Sequence, residues 1–284
     1  MIAFLGMGLL GSNFVRALRR RGEEVHVWNR TEPKARALEA DGAKAFPDPA
    51  EAVRGAERIH LSLSDDAAVD EVLDRAQSAF EPGVLIVDHT TTSATGTRAR
   101  AARWAERGIE FLHAPVFMGP QNALDSTGII LCSGDPARAE RLRPALEKMT
   151  GKLLYLGPEP DRAAAFKLFG NLFLMFMTAG VAEVLTLAKA LDVKPEEAMI
   201  LFDTFNPGLS LGARIKRVLA AEFDKPSWEL AMARKDARLM LEEAARHDVP
   251  LPMLPAIAAT MDRFLERGHA HSDWTVIAKD ALER

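Results

Sequence analysis

Through the first 157 residues, short apolar runs alternate with stretches in which apolar positions recur every three or four residues. Short runs bounded by turn-forming residues read as buried strands, and the wider spacing reads as amphipathic helix. Strands are therefore expected at 2–5, 24–28, 58–63, 84–88, 110–114, 128–133 and 152–156. Helices are expected at 9–21, 33–41, 67–79, 93–107 and 136–149, the first of them ending at Gly22. Strands alternating with helices imply βαβ units and a mostly parallel, doubly wound sheet.

Past residue 157 the pattern changes. One long stretch, 162–191, is apolar on most faces, and further helical patterns follow at 195–206, 210–221, 228–247 and 255–267, with no strand among them. The segment Gly157-Pro158-Glu159-Pro160-Asp161 continues neither element, so the boundary is placed there. The fold expected is an N-terminal α/β Rossmann domain over residues 1–159, followed by an all-α substrate and oligomerisation domain over residues 160–284. The most apolar part of the long helix, 168–182, is interrupted by Asn171 and flanked by Lys167 and Glu183. It falls short of the roughly 20 residues of a membrane span. It is expected to run through the core of the second domain and to meet a second subunit, giving a homodimer or homotetramer with no membrane partner.

Composition narrows the class. The chain has 284 residues, 48% hydrophobic and 27% charged, with a formal net charge of -4. It has no basic tail or arginine-rich block, which argues against a nucleic-acid partner and leaves a small-molecule substrate. One cysteine, Cys132, excludes an intrachain disulfide and suits a reducing compartment. The start MIAFLGMGLLG lacks the basic region and cleavage site of a signal peptide, so a cytoplasmic location is expected. The seven histidines show no metal-ligand spacing, and no metal is expected.

The chemistry begins at Gly6-Met7-Gly8-Leu9-Leu10-Gly11, directly after the first strand and opening the first helix. In a Rossmann βαβ unit the first glycine permits the tight turn, the second lets a pyrophosphate approach the backbone, and the third lets helix pack on strand. The helix N-terminus offers N–H groups and partial positive charge to the phosphates. The end of the second strand sets the cofactor. An NAD site usually has a carboxylate there, but this chain reads Asn29-Arg30-Thr31, with Lys34 a turn further on. Arg30 suits a 2′-phosphate, so NADP(H) is favoured over NAD(H). Glu32 is read as the start of the next helix. Leu63 and Ser64, and Thr91 in the segment Asp88-His89-Thr90-Thr91-Thr92, stand at later strand ends, where a bound dinucleotide is expected; both segments also carry helix-capping residue types.

Together with His113-Ala114-Pro115-Val116, Lys167-x-x-x-Asn171 and Lys235-Asp236, these motifs give a chain that resembles the β-hydroxyacid dehydrogenase family over essentially its whole length. That family includes 3-hydroxyisobutyrate dehydrogenases and glyoxylate/succinic semialdehyde reductases. The resemblance implies that Lys167 is the catalytic lysine and Asn171 its substrate-binding partner. It also implies that Thr91 lies near the nicotinamide and that Lys235 closes over the cofactor from the helical domain. The residues agree: Lys167 and Asn171, four apart, share a helix face. An ammonium can stabilise the charge that develops on a carbonyl oxygen during reduction and deliver its proton.

Two departures stand out. Where the family usually shows Asp-Ala-Pro-Val-Ser-Gly-Gly, this chain has His113-Ala114-Pro115-Val116-Phe117-Met118-Gly119. Phe117, Met118 and Gly119 therefore occupy the substrate-carboxylate site, and Phe117 has no side-chain donor. Before the lysine, a Gly-x-Gly pair is replaced by Asp161 and Ala163. The first reading is an oxidoreductase for a short hydroxy acid or its aldehyde or keto partner. The alternatives are a reductase of imines or bulkier apolar carbonyls, against which Lys167 argues, and a non-catalytic NADP-binding sensor.

Overall fold

The structure is a computed structural model that describes residues 1–283. Six strands form the first sheet: β1 (Ile2–Leu5), β2 (Val25–Trp28), β3 (Lys44–Ala45), β4 (Arg58–Leu61), β5 (Leu85–Asp88) and β6 (Glu110–His113). Their order is β3-β2-β1-β4-β5-β6 and every neighbouring pair is parallel. This is the Rossmann order, with its switch point between β1 and β4. The connections include α1 (Leu9–Arg20), α2 (Glu32–Arg36), α3 (Pro49–Val53), α4 (Asp66–Ala76) and α5 (Ala94–Glu106).

Alternating side chains divide between two buried faces, as strand geometry requires. Ile2, Phe4, Val25, Val27 and Val87 join Phe14 and Leu18 of α1 on one face. Ala3, Leu5, Ile59, Leu61 and Ile86 join Val69, Val72 and Leu73 of α4 and Trp104 of α5 on the other.

After β6 the chain forms β7 (Val116–Phe117), α6 (Pro120–Asp125), β8 (Ile129–Cys132), α7 (Pro136–Glu147) and β9 (Lys152–Tyr155). The second sheet is ordered β7-β8-β9, with β7 antiparallel to β8 and β9 parallel to it. Cys132 is buried in β8 and burial pushes its thiol up to about 11, so it is a structural residue.

From there the protein is helical: α8 (Arg162–Ala190), α9 (Pro195–Thr204), α10 (Leu211–Leu219), α11 (Leu230–Arg246) and α12 (Leu254–Glu266). Two compact units result, Met1–Leu172 and a second from Phe173 onward, so the opening turns of α8 belong to the first. The second unit has its own core, including Leu230, Ala237, Met261 and Phe264. In it the Glu183 carboxylate accepts hydrogen bonds from the backbone N–H groups of Met253 (2.6 Å) and Leu254 (2.9 Å), at the start of α12.

The differences from the sequence pattern have local causes. The stretch expected as one helix over 33–41 is α2 followed by a 3₁₀ turn, Ala37–Asp41, closed by Gly42 at φ 85°. The elements β3, α3, β7 and α6 are too short to show a period, and the 3₁₀ turn Trp274–Ala281 also went unread. The long helix needs a larger correction. It was expected inside the second core, yet its most apolar 18-residue window has a mean hydropathy of 1.7 with none of it buried. Phe169 is 62% exposed and Met175 68%. By length and composition alone α8 could cross a membrane.

One buried polar element lies in the first core. His60 on β4 and His89, just past β5, join ring to ring at 2.8 Å, and His89 Nδ1 meets the Ala114 carbonyl oxygen at 2.7 Å. Phe4 stacks on His60 and Phe14 on His89. Burial pushes His60 well below the ordinary range and His89 down to about 4. An unfolded histidine titrates near ~6.5, so between about pH 6.5 and 4 the unfolded chain binds more protons than the folded one. Stability should therefore rise with pH across that window and level off above it. His89 alone should contribute about 3 kcal/mol. Urea unfolding from pH 4 to 8 is the measurement, with His89→Gln expected to flatten the slope. An unaltered slope in that variant would show that His89 is not responsible.

Candidate active site

The site is built on the close approach of α1 to the end of β1. Gly6 has φ 102°, and a Cβ there would lie 2.2 Å from the Ser62 carbonyl oxygen. A Cβ on Gly11 would lie 1.9 Å from the Gly6 carbonyl oxygen. No side chain fits either place, so both glycines are sterically required. Gly8 differs: nothing lies within 4 Å of its added Cβ, and it faces open space. Gly8 is also the N-cap of α1 and no side chain caps that end. First-turn N–H groups are thus left for a ligand.

A cavity of about 540 Å³ opens at the carboxyl ends of β1, β2 and β4. That volume is in the range of small-molecule sites, roughly 300–1,000 Å³. Its lining includes Gly6, Gly8, Leu9 and Leu10 from the glycine turn, Asn29, Arg30, Thr31 and Lys34 after β2, and Leu63 and Ser64 after β4. The structure thus brings together ten of the residues that the sequence singled out for a cofactor. It also adds Trp28, Ser62, Ala68, Glu71, Val72 and Pro120. Trp28, Ala68, Val72 and Pro120 are apolar, Glu71 lies on a helix whose facing side the sequence does not mark, and Ser62, just past β4, carries no distinguishing pattern.

Other candidates lie elsewhere. Met7 is 2% exposed and packs in the core, and Gly11 is a contact between helix and strand. Asn29 has a scaffolding part: its Oδ1 accepts from the Met7 N–H (2.9 Å) and its Nδ2 donates to the Thr31 carbonyl (2.9 Å). Thr91 is exposed on the loop after β5. Its neighbour Thr90, not singled out from sequence, accepts from the Leu63 N–H at 3.0 Å and joins two strand ends. Lys235 is exposed on α11 in the second unit, paired with Asp236.

The cavity lining carries two cations, Arg30 and Lys34, and one carboxylate, Glu71. Neither Arg30 nor Lys34 has an ion-pair partner among the described residues, whereas the Glu32 carboxylate is taken up by Arg36 at 2.9 Å. The loop carrying Thr91 is fixed from beneath. Asp88 is fully buried and Oδ1 accepts from the Thr90 N–H (2.9 Å). Although burial alone would raise it, the His113 ring, with Nδ1 3.6 Å from Oδ2, together with hydrogen bonding from Thr90, holds its carboxyl below the usual range. Arg100 reaches from α5 to Asp66 at 3.0 Å and Asp70 at 2.8 Å.

Lys167 and Asn171 both stand in the opening turns of α8, within the first unit. The departures at Asp161 and Ala163 explain how those turns are held. Asp161 takes a two-pronged hydrogen bond from Arg98 on α5, both contacts 3.0 Å. Ser133 Oγ accepts from the Ala163 N–H (2.8 Å) and donates to the Pro160 carbonyl (3.2 Å). Ala163 and Ala164 are fully buried. Lys167 is half-buried, and desolvation lowers its pKa from the ordinary lysine value. Its ammonium lies 4.1 Å from the centroid of the Phe117 ring. Gly119 closes the substrate segment by donating its N–H to Asn122 Oδ1 at 2.9 Å.

Comparison with known proteins gives independent matches. Residues 1–157 match the NAD-binding domain of 6-phosphogluconate dehydrogenase, and residues 162–280 the NAD-binding family of NADP-dependent 3-hydroxyisobutyrate dehydrogenase. Human cytokine-like nuclear factor N-PAC is 33% identical over 259 residues, covering 88% of this chain and 46% of that protein. The chain therefore spans about half the length of the N-PAC proteins it matches. The 2-(hydroxymethyl)glutarate dehydrogenase of Eubacterium barkeri is 26% identical over 282 residues, covering 98% of this chain and 93% of that one. Among solved structures, an imine reductase from Myxococcus stipitatus in complex with NADP+ superposes with a TM-score of 0.91 at 21% identity, covering 98% of this chain and 99% of that one. A Streptomyces aurantiacus imine reductase gives 0.89 at 26% identity, with 99% of each chain covered.

Proposed function

Because the chain belongs to the β-hydroxyacid dehydrogenase family, we propose that it is an NADP(H)-dependent oxidoreductase acting on a short hydroxy acid or its aldehyde or keto partner, with Lys167 as general acid and base. The observation that carries the reading is a half-buried lysine on an anchored helix start, in the same unit as a cavity of about 540 Å³ beside the glycine turn. The open backbone at Gly8 and the uncapped end of α1 fit the pyrophosphate, and Arg30 with Lys34 fits a 2′-phosphate.

When bound, the nicotinamide supplies or accepts the hydride. The protein's own residues do the rest. In reduction the Lys167 ammonium donates a proton to the carbonyl oxygen as negative charge grows there. In oxidation its neutral amine takes the alcohol proton. Desolvation lowers the lysine pKa, so the neutral form is reached at a lower pH than for a free lysine. Asn171, on the same helix face, orients the substrate without adding charge.

A second reading, reduction of imines or bulkier apolar carbonyls, is favoured by one observation. Phe117 and Met118 stand where the family's serine and glycine would bind a carboxylate, and the imine-reductase architecture matches along the whole chain. NADPH oxidation with glyoxylate, succinic semialdehyde and an apolar aldehyde or imine separates the two readings. Tight NADPH binding with no turnover on any of them would favour a sensor.

The exposed apolar α8 is proposed to be covered by a second copy of the chain. The Glu183 carboxylate within that helix caps α12, which ties the stretch to a polar scaffold rather than a lipid phase. Sedimentation should find a dimer or larger closed assembly, and Met175→Glu should dissociate it. A monomeric wild-type protein would refute the assembly.

Two variants test the site. Lys167→Ala should cut kcat by about 10²- to 10⁴-fold while leaving the NADPH Kd nearly unchanged. Full activity in that variant would remove lysine from the mechanism. Arg30→Ala should weaken NADPH by about 10- to 100-fold and NADH much less. Equal losses for the two would refute the phosphate role.

A further inference from the structure

Gly170 lies in the middle of the first half of α8, where glycine costs helix stability relative to alanine. The space beside it accounts for the choice. A Cβ built there would fall 2.2 Å from Cζ, 2.7 Å from Cε1 and 3.2 Å from Cε2 of Phe117, so the ring edge occupies the place of a methyl group. The ring is held on its other side by its strand. Val116 and Phe117 pair with Ile130 and Ile129 of β8. Val116 and Met118 turn toward the first core, which leaves Phe117 facing the other way. Lys167 is three residues before Gly170, so the two share a helix face and the ring lies along both. The ammonium stands over the ring face, 4.1 Å from its centroid. Lys167 has no ion-pair partner among the described residues, and desolvation is the one cause of its shift, with no charged side chain contributing.

We propose that Phe117 is a positioning residue for Lys167: seated on the bare backbone of Gly170, its ring presents a π face that holds the lysine ammonium in one place. The inference rests on the reading of Lys167 as general acid and base. It assigns Phe117 and Gly170 as a coupled pair in which the glycine admits the ring and the ring holds the cation. An aromatic face attracts the ammonium without neutralising it, so the proton stays transferable. A carboxylate in the same place would hold the charged form far more strongly. The chain has thereby exchanged a hydroxyl that would bind a substrate carboxylate for a group that orients the acid.

The test is side-chain NMR of the 13Cε-lysine-labelled protein beside steady-state kinetics. In the wild type, one lysine ε-methylene signal should be shifted upfield by the ring current and be missing in Lys167→Ala. Phe117→Leu removes the ring but keeps the bulk; Gly170→Ala displaces the ring while touching neither partner of the contact. Both should abolish the upfield shift and lower kcat by about tenfold. Phe117→Tyr should keep both. Because the two changes break one contact, Gly170→Ala should cost less than twofold more in the Phe117→Leu background. In Phe117→Leu the lysine should also titrate at lower pH, since burial remains and the π face is gone. The inference is overturned by a wild type with no upfield lysine signal, by a signal that survives both changes, or by losses that multiply independently. Undiminished activity of Lys167→Ala would instead overturn the acid–base reading. An inactive Lys167→Ala with lysine signals unmoved by Phe117→Leu would overturn the positioning role alone.

Discussion

The first unit depends on how near the backbone of α1 comes to the turn after β1. The Gly11 position leaves 1.9 Å between a would-be Cβ and the Gly6 carbonyl oxygen, so that approach exists only because both residues lack side chains. The approach aims the uncapped N-terminus of α1 across the switch point between β1 and β4, where the ends of neighbouring strands diverge. The rest of the cavity follows from that one contact. Asn29 secures the turn through the Met7 N–H, Thr90 ties the loop after β4 to that after β5, and Arg30 and Lys34 are left to meet an anion. The buried residues beneath are a scaffold for the geometry of a few backbone atoms.

The proposed reactive end has a different support. No one interaction there is strong: an exposed arginine–carboxylate pair contributes about 0–1 kcal/mol, and a hydroxyl–amide bond about as much. What fixes the opening turns of α8 is their convergence. Arg98 reaches Asp161 from α5, Ser133 bridges Ala163 and Pro160 from the end of β8, and two alanines are buried between. Two elements of the first unit, α5 and the end of β8, thus fix where α8 and its Lys167 begin. A glycine pair would leave that loop freer, so the replacement of glycines by Asp161 and Ala163 makes it more ordered.

Much of this was legible in the sequence, for identifiable reasons. The strands and helices of the sheet were readable because each buries a face at a fixed period, and the glycine turn because steric exclusion leaves a compositional trace. Arg30 was readable as a residue of the cavity because it follows the end of the second strand, where such a fold places its ligand. Thr90 was not, since a threonine that accepts a backbone hydrogen bond looks like its neighbours Thr91 and Thr92. Val72 and Ala68 reach the cavity by the direction of a helix face, and Pro120 by the fold of a short helix too brief to show a period. The placement of α8 failed for a different reason. Apolarity around a whole helix reports that the surface is to be covered, and carries no information on whether the cover comes from the same chain.

Phe117 shows how a departure from a family pattern gains meaning from its surroundings. Taken alone, a phenylalanine in place of a serine reads as the loss of a hydrogen-bond donor. With the Gly170 backbone against its edge and the Lys167 ammonium over its face, it reads as an exchange. Two positions 53 residues apart in sequence, Phe117 and Gly170, are linked: the glycine is unfavourable in a helix by local criteria, and the ring leaves no room for a side chain there. An acid–base lysine must hold its position yet release its proton. A carboxylate partner serves the first need and opposes the second; an aromatic face attracts the cation by its quadrupole and leaves the neutral amine accessible.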